Sequence, residues 1–326
     1  MKRMRRFLTT LGVVWTAASL ATYFYSQHQN IPHAIRIAVL PAILLETAFY
    51  LMQGFEWARM EFDRLGGRPL RAALLTASAV LPCLVATSRA ATFQLLWFLA
   101  LLGAVLAASF WYAWIRPRLP FDLLFLVLMG GIYLSKLFDH AYGQPAPHAQ
   151  FSILGKLMWI RLGIMAVLSL RGSEDVRFGF MPAAREWRVG FLHYLAFLPV
   201  GAVLAYVLGF ARFHPPDMEW WKLALVLIGT FFACLWVVAL AEEFFFRAFL
   251  QRLLARARGE MFGLITASVL FGLAHLPFRQ FPNWRFAILA GAAGIFYGLA
   301  FTKAGSVRAS MVAHACVFTT WRVFFA

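Results

Sequence analysis

An all-α, polytopic transmembrane helical bundle is the fold class this sequence predicts, and three observations predict it. Of its 326 residues, 62% are hydrophobic and only 13% charged, with a mean hydropathy of +0.72. A soluble domain carries about 25% charged and about 45–50% apolar residues. Apolar runs of the roughly 17–25 residues needed to cross a bilayer follow one another along the chain. The 30 Lys and Arg, against 14 Asp and Glu, sit mostly in the short loops between those runs. This composition excludes a disordered chain, a disulfide-stapled scaffold and an ordinary soluble enzyme. The net charge of +16 invites a nucleic-acid reading. Basic residues gathered mostly in inter-span loops argue instead for a partner bilayer and no nucleic acid.

Eleven runs qualify, with nine to eleven as the expected range. The first, 7–25, follows Lys2, Arg3, Arg5 and Arg6 and lacks a small-residue cleavage pattern at Tyr23 to Gln27. It reads as an anchor rather than a removed signal. Then come 35–54, 72–88, 90–114, 120–137 and 151–170, followed by 189–210, 223–247, 261–276, 285–302 and 307–325; Pro41, Pro82 and Pro199 interrupt three of them. Loops on one side hold Lys2 to Arg6, Arg59 to Arg71, Arg116 and Arg118, Arg171 to Arg188, Arg252 to Arg258, Lys303 and Arg308. The positive-inside rule puts that side, and the N-terminus, in the cytoplasm. Trp111, Trp114, Trp187, Trp220, Trp221 and Trp284 fall at span ends, as interfacial aromatics do. The longest polar stretch divides the chain into N-terminal membrane helices (1–170, role unassigned), a cytoplasmic connecting loop (171–188) and a C-terminal core (189–326). Cys83, Cys234 and Cys316 lie in apolar runs without CxxC or Cys-His metal spacing and read as packing residues.

Charges inside a membrane cost about 2.5–3.5 kcal/mol each on insertion scales, so each needs a reason. The densest cluster is Glu242-Glu243-Phe244-Phe245-Phe246-Arg247, within the eighth span. Glu243 and Arg247 are four apart and face each other on a helix. Glu242 points elsewhere and is the free carboxylate, the candidate general base. Only two of the eight His lie well inside spans, His275 and His314. Counting along the helices from the basic loops puts Glu242 at roughly 13–15 Å depth, His275 at roughly 21 Å and His314 at roughly 9–12 Å. The three meet just on the cytoplasmic side of the midplane. HExxH is absent, which excludes the usual zincin helix. Three chemistries remain: zinc held by Glu and two His, a metal-free water shared by Glu242 and His275 with His314 at the oxyanion, or nucleophilic Ser310, the weakest for want of a GxSxG context. Glu46, Lys156 and Arg161 are further intramembrane charges, read as structural pairing partners.

These motifs together resemble the CAAX-protease and bacteriocin-processing family of glutamate-type intramembrane endopeptidases, which includes the Rce-type prenyl-protein endopeptidases. Glu242-Glu243-x-x-x-Arg247 is similar to its first motif, Phe271-x-x-x-His275 to its second and His314 to the His of its third. The resemblance spans roughly residues 189–326. It implies that Glu242 and His275 activate water and that His314 stabilises the oxyanion, with Glu243 and Arg247 in support and no cofactor. The family pattern has an Asn four residues after the third-motif His; here Phe318 stands there.

The resulting expectation is an intramembrane protease that hydrolyses a membrane-anchored or lipid-modified segment, such as a C-terminal sorting tail. Its location is expected to be a bacterial cytoplasmic (inner) membrane. Two other readings stay open: a catalytically silent binding or immunity partner, which Phe318 favours, and a transporter, which the lack of paired repeats with broken helices disfavours.

Overall fold

The computed structural model describes residues 2–172, 177–210 and 212–325. Thirteen helices occupy them, with no strand among the described residues beyond an isolated bridge between Phe213 and Phe325. The chain divides into two compact units, Met1–Glu174 and Asp175–Ala326. The expected connecting loop 171–188 is only partly described, since 173–176 lie outside the described residues; its end is helical from Ala184.

Unit one contains α1 (Lys2–His28), α2 (His33–Gly54), α3 (Glu56–Arg64), α4 (Arg68–Arg89), α5 (Leu95–Trp114), α6 (Leu119–Leu134), α7 (Leu137–Tyr142) and α8 (Ser152–Gly172). Helix α8 is central and packs on α2, α4, α5 and α7. Its Met158, Trp159, Leu162 and Ile164 are buried. Arg161 of α8 meets the fully buried Glu46 of α2 through Nε–Oε1 at 3.1 Å and Nη2–Oε2 at 3.2 Å, and also donates to Ser78 Oγ at 2.9 Å. A bidentate pair of this kind offsets the cost of placing either charge in an apolar interior. Lys156 does not join it; the half-buried ammonium forms no ion pair among the described residues. It lies one turn inside the start of α8, close enough to the helix end to snorkel.

Unit two contains α9 (Ala184–Val207), α10 (Trp220–Arg258), α11 (Glu260–Ala274), α12 (Trp284–Ala304) and α13 (Val307–Phe324). Small residues set its packing, as membrane helices require. A methyl group at Gly272 would run into the Ala287 carbonyl, and one at Gly298 into Leu264, so α11 and α12 approach backbone to backbone. Glu186 ties two helix starts together. Its Oε2 accepts from the Ala183 N–H at 2.6 Å, and its Oε1 accepts from Arg308 Nη2 at 2.8 Å. Gly259, at φ 93°, and Gly305, at φ 61° in the left-handed region, end α10 and α12 where a side chain would be strained.

Every expected span coincides with a helix, and eight helices are long and apolar enough to cross a membrane. The other three fall short for identifiable reasons. Helices α6 and α11 have 16 and 15 residues; at 1.5 Å per residue these span roughly 22–24 Å of a hydrocarbon layer about 30 Å thick. Helix α13 has 18 residues, but Arg308, His314 and Arg322 make it too polar to count by composition. Two short helices, α3 and α7, were not anticipated, because 9 and 6 residues leave no long apolar run. The eighth span is much longer than the expected 223–247. At 39 residues, α10 extends for roughly 58 Å, so its ends must leave the hydrocarbon.

Candidate active site

Helix α10 is not a uniform α-helix. Cys234–Val238 and Phe244–Gln251 adopt π-helical turns, leaving only Ala239–Glu243 in α geometry between them. Such turns admit extra residues and re-aim side chains, and they concentrate at functional sites. Here they bracket the two adjacent carboxylates.

Those carboxylates lead different lives. Glu243 is fully buried and doubly engaged: Oε2 accepts from Arg247 Nε at 3.3 Å, and Oε1 accepts from His314 Nδ1 at 2.8 Å. Arg247, also fully buried, donates to Ser268 Oγ at 3.5 Å and lies over the Phe271 ring, 5.1 Å from its centroid. Glu242 retains 31% side-chain exposure, yet its Oε2 is buried without a hydrogen bond. That oxygen lies 3.7 Å from His275 Nε2 and 3.9 Å from His314 Nε2. Both gaps are too long for direct hydrogen bonds and are of the size at which a bridging water is to be sought.

Each imidazole is oriented from behind. His275 caps the C-terminus of α11, and its Nδ1 donates to the Phe271 carbonyl at 2.7 Å. A carbonyl only accepts, so Nδ1 carries the proton and Nε2 presents a lone pair towards Glu242. His314 is held by Glu243 at Nδ1 and lies parallel to Tyr297, ring centroids 4.7 Å apart with planes at 10°. Phe271 stands edge-on to His314 at 5.9 Å. Its ring also closes the far side of the site against Phe246, centroids 5.1 Å apart.

The sequence-predicted residues Glu242, Glu243, Arg247, His275 and His314 therefore form one cluster drawn from α10, α11 and α13. The Glu243–Arg247 pairing is as expected from the four-residue spacing. The Glu243–His314 bond was not expected; a carboxylate with a partner on its own helix looks satisfied on paper. Tyr297 and Ser268 were missed altogether. Each is an uncharged polar residue in an apolar span, and only the Gly-rich spacing of α12 hinted that its neighbours come close. Ser310, the nucleophile considered, is fully buried and donates its Oγ proton to the Val307 carbonyl at 2.8 Å. Phe318 stands one turn beyond His314 on α13 and carries no donor. Among the described residues, no group of three or more His, Cys, Asp and Glu is arranged to hold a metal ion.

The fold and the site define a class: an integral membrane protein of bundled helices with a carboxylate and two imidazoles converging inside it. Residues 221–319 match the Rce1-like family, described as type II CAAX prenyl endopeptidase Rce1-like. All three motifs fall within the matched stretch, and the match bears out the resemblance read from them. No curated protein and no solved structure matches the chain.

Proposed function

We propose that the protein is a glutamate-type intramembrane endopeptidase that cleaves a peptide bond in a membrane-anchored or lipid-modified protein segment. The observation that carries this reading is the convergence of Glu242 Oε2 on the two Nε2 atoms, 3.7 and 3.9 Å away. An unpartnered buried carboxylate oxygen calls for an explanation, and a reacting water supplies one. In the mechanism we infer, water donates hydrogen bonds to Glu242 and to the lone pair of His275 Nε2. Glu242 takes the proton as the water oxygen attacks the carbonyl carbon. His314, its Nδ1–H given to Glu243, presents Nε2 to the oxygen that becomes negative. With a proton there it donates, and the Glu243 carboxylate balances the charge. Collapse returns the proton to the leaving nitrogen. The reaction needs no metal in this scheme.

The match to a family of prenyl endopeptidases supports a lipid-modified or sorting-type tail as substrate, and the arrangement of basic loops supports a cytoplasm-facing N-terminus; the membrane we assign is a bacterial inner membrane. The test is cleavage of a membrane-anchored reporter peptide by purified protein in liposomes, with His275→Ala as control. Cleavage that His275→Ala leaves at the wild-type rate overturns the assignment.

A further inference from the structure

An oxyanion formed away from bulk water is held best by more than one fixed donor. His314 accounts for one. The next turn of α13 offers Phe318, which has none. The polar hydrogens of the surrounding shell are almost all committed or sealed. Ser310 donates to its own helix, and Asn283 Nδ2 donates to the Phe278 carbonyl at 3.0 Å. Arg247 Nη2 is buried without a partner, but it is wedged against Gly294, where even a methyl group would approach it to 3.0 Å. Thr319 Oγ1 is unpartnered as well, yet Thr319 lines a separate groove of about 310 Å³ with Phe191, Leu227 and Phe231. Five residues from His314, it projects well away from the imidazole on the helix.

Tyr297 remains. It is only 3% exposed and lies flat against the His314 imidazole. Glu243, Glu242 and Arg247 of the site lie near enough to act on its hydroxyl, as does Cys234. Among the described residues its hydroxyl makes no hydrogen bond, and it is not one of the buried polar atoms cut off without a partner, as Arg247 Nη2 is. The O–H is thus neither committed nor sealed.

We propose that Tyr297 is a further catalytic residue, whose O–H is the second donor to the oxyanion beside His314. The proposal rests on the endopeptidase reading above. As the water oxygen forms the new C–O bond, its proton passes to Glu242 and the carbonyl π pair moves on to oxygen. Tyr297 keeps its proton and donates a hydrogen bond to that oxygen. The C–N bond then breaks, with the proton from Glu242 going to the leaving nitrogen, and the Tyr297 hydrogen bond is released with the carboxylic product.

The test compares wild type, Glu242→Gln, Tyr297→Phe and Tyr297→Phe/Phe318→Asn in liposomes, using one membrane-anchored reporter peptide and a thermal midpoint for each protein. Tyr297→Phe is expected to lower kcat on the order of 100-fold, leave KM within about threefold, and leave the thermal midpoint unchanged or raised. Phe318→Asn, which restores an amide donor one turn from His314, is expected to recover at least tenfold of that loss. Full activity in Tyr297→Phe, with Glu242→Gln inactive, overturns this proposal and leaves the endopeptidase reading standing. A fall in thermal midpoint that accompanies the loss, without rescue by Phe318→Asn, makes the hydroxyl structural and overturns it too. A wild-type protein that cleaves nothing overturns both.

Discussion

Replacing Glu243 by Gln keeps the shape of the side chain and removes one charge from a place where charge has no other outlet. The wild-type carboxylate serves Arg247 at 3.3 Å and His314 at 2.8 Å, and both Glu243 and Arg247 are fully buried. After the substitution, the guanidinium keeps only Ser268 Oγ at 3.5 Å and the Phe271 ring. Leaving a buried charge without its partner costs about 3–5 kcal/mol. At roughly 2–4 °C per kcal/mol for a unit of this size, the thermal midpoint should fall on the order of 10 °C. Activity should fall with it, because His314 loses the charged acceptor that aims it and balances its proton. The informative companion is Glu243→Gln/Arg247→Met, which removes both charges and should regain most of the stability while staying impaired in activity. Thermal unfolding of the detergent-solubilised proteins, followed by tryptophan fluorescence and paired with reporter cleavage, measures both. A Glu243→Gln protein that melts with the wild type would refute the reasoning, since the pair would then be contributing no stability that burial should have given it.

Glu242→Gln is expected to abolish cleavage with the thermal midpoint within a few degrees of wild type, because its Oε2 makes no hydrogen bond to lose; retained cleavage would remove it from the chemistry. Exhaustive chelation should leave the rate unchanged, and metal analysis of pure protein should find no stoichiometric zinc; activity lost and restored only by added zinc would reverse this. In a background lacking Cys83, Cys234 and Cys316, single Cys residues at positions 64 and 177 should label only from the cytoplasm, and those at 144 and 280 only from outside. Labelling of position 280 from the cytoplasm would mean that α11 does not cross.

Helix positions were legible because spanning runs are long and the basic residues between them are few and clustered. The lengths of the helices were less so. The polar end of α10, from Arg252 to Arg258, continues the helix where hydropathy alone marks an exit. Within the site, spacing was enough to pair Glu243 with Arg247, and depth counting was enough to bring Glu242, His275 and His314 to a common level. What counting along separate helices does not contain is rotation. Whether His314 faces Glu242 or Glu243 depends on how α13 is turned against α10, and the structure puts a different nitrogen against each. Tyr297 was invisible for a related reason: a tyrosine among Gly and Ala reads as packing until a neighbour is seen flat against it.

The two π-helical turns of α10 make the direction of its carboxylates depend on residue count as much as on residue identity. Each residue of an α-helix advances the side chain by about 100°, and a π turn absorbs one residue more than an α turn does. Deleting one residue from Phe244–Gln251 lets the segment tighten to α geometry with its two ends still close to register, because the π turn gives up the residue it had absorbed. A deletion between Phe244 and Phe246 nevertheless shortens the Glu243–Arg247 spacing from four residues to three and breaks the pairing that spacing sets. In this helix the position of a one-residue gap in an alignment thus decides whether it matters, and two chains sharing all three motifs need not share the site.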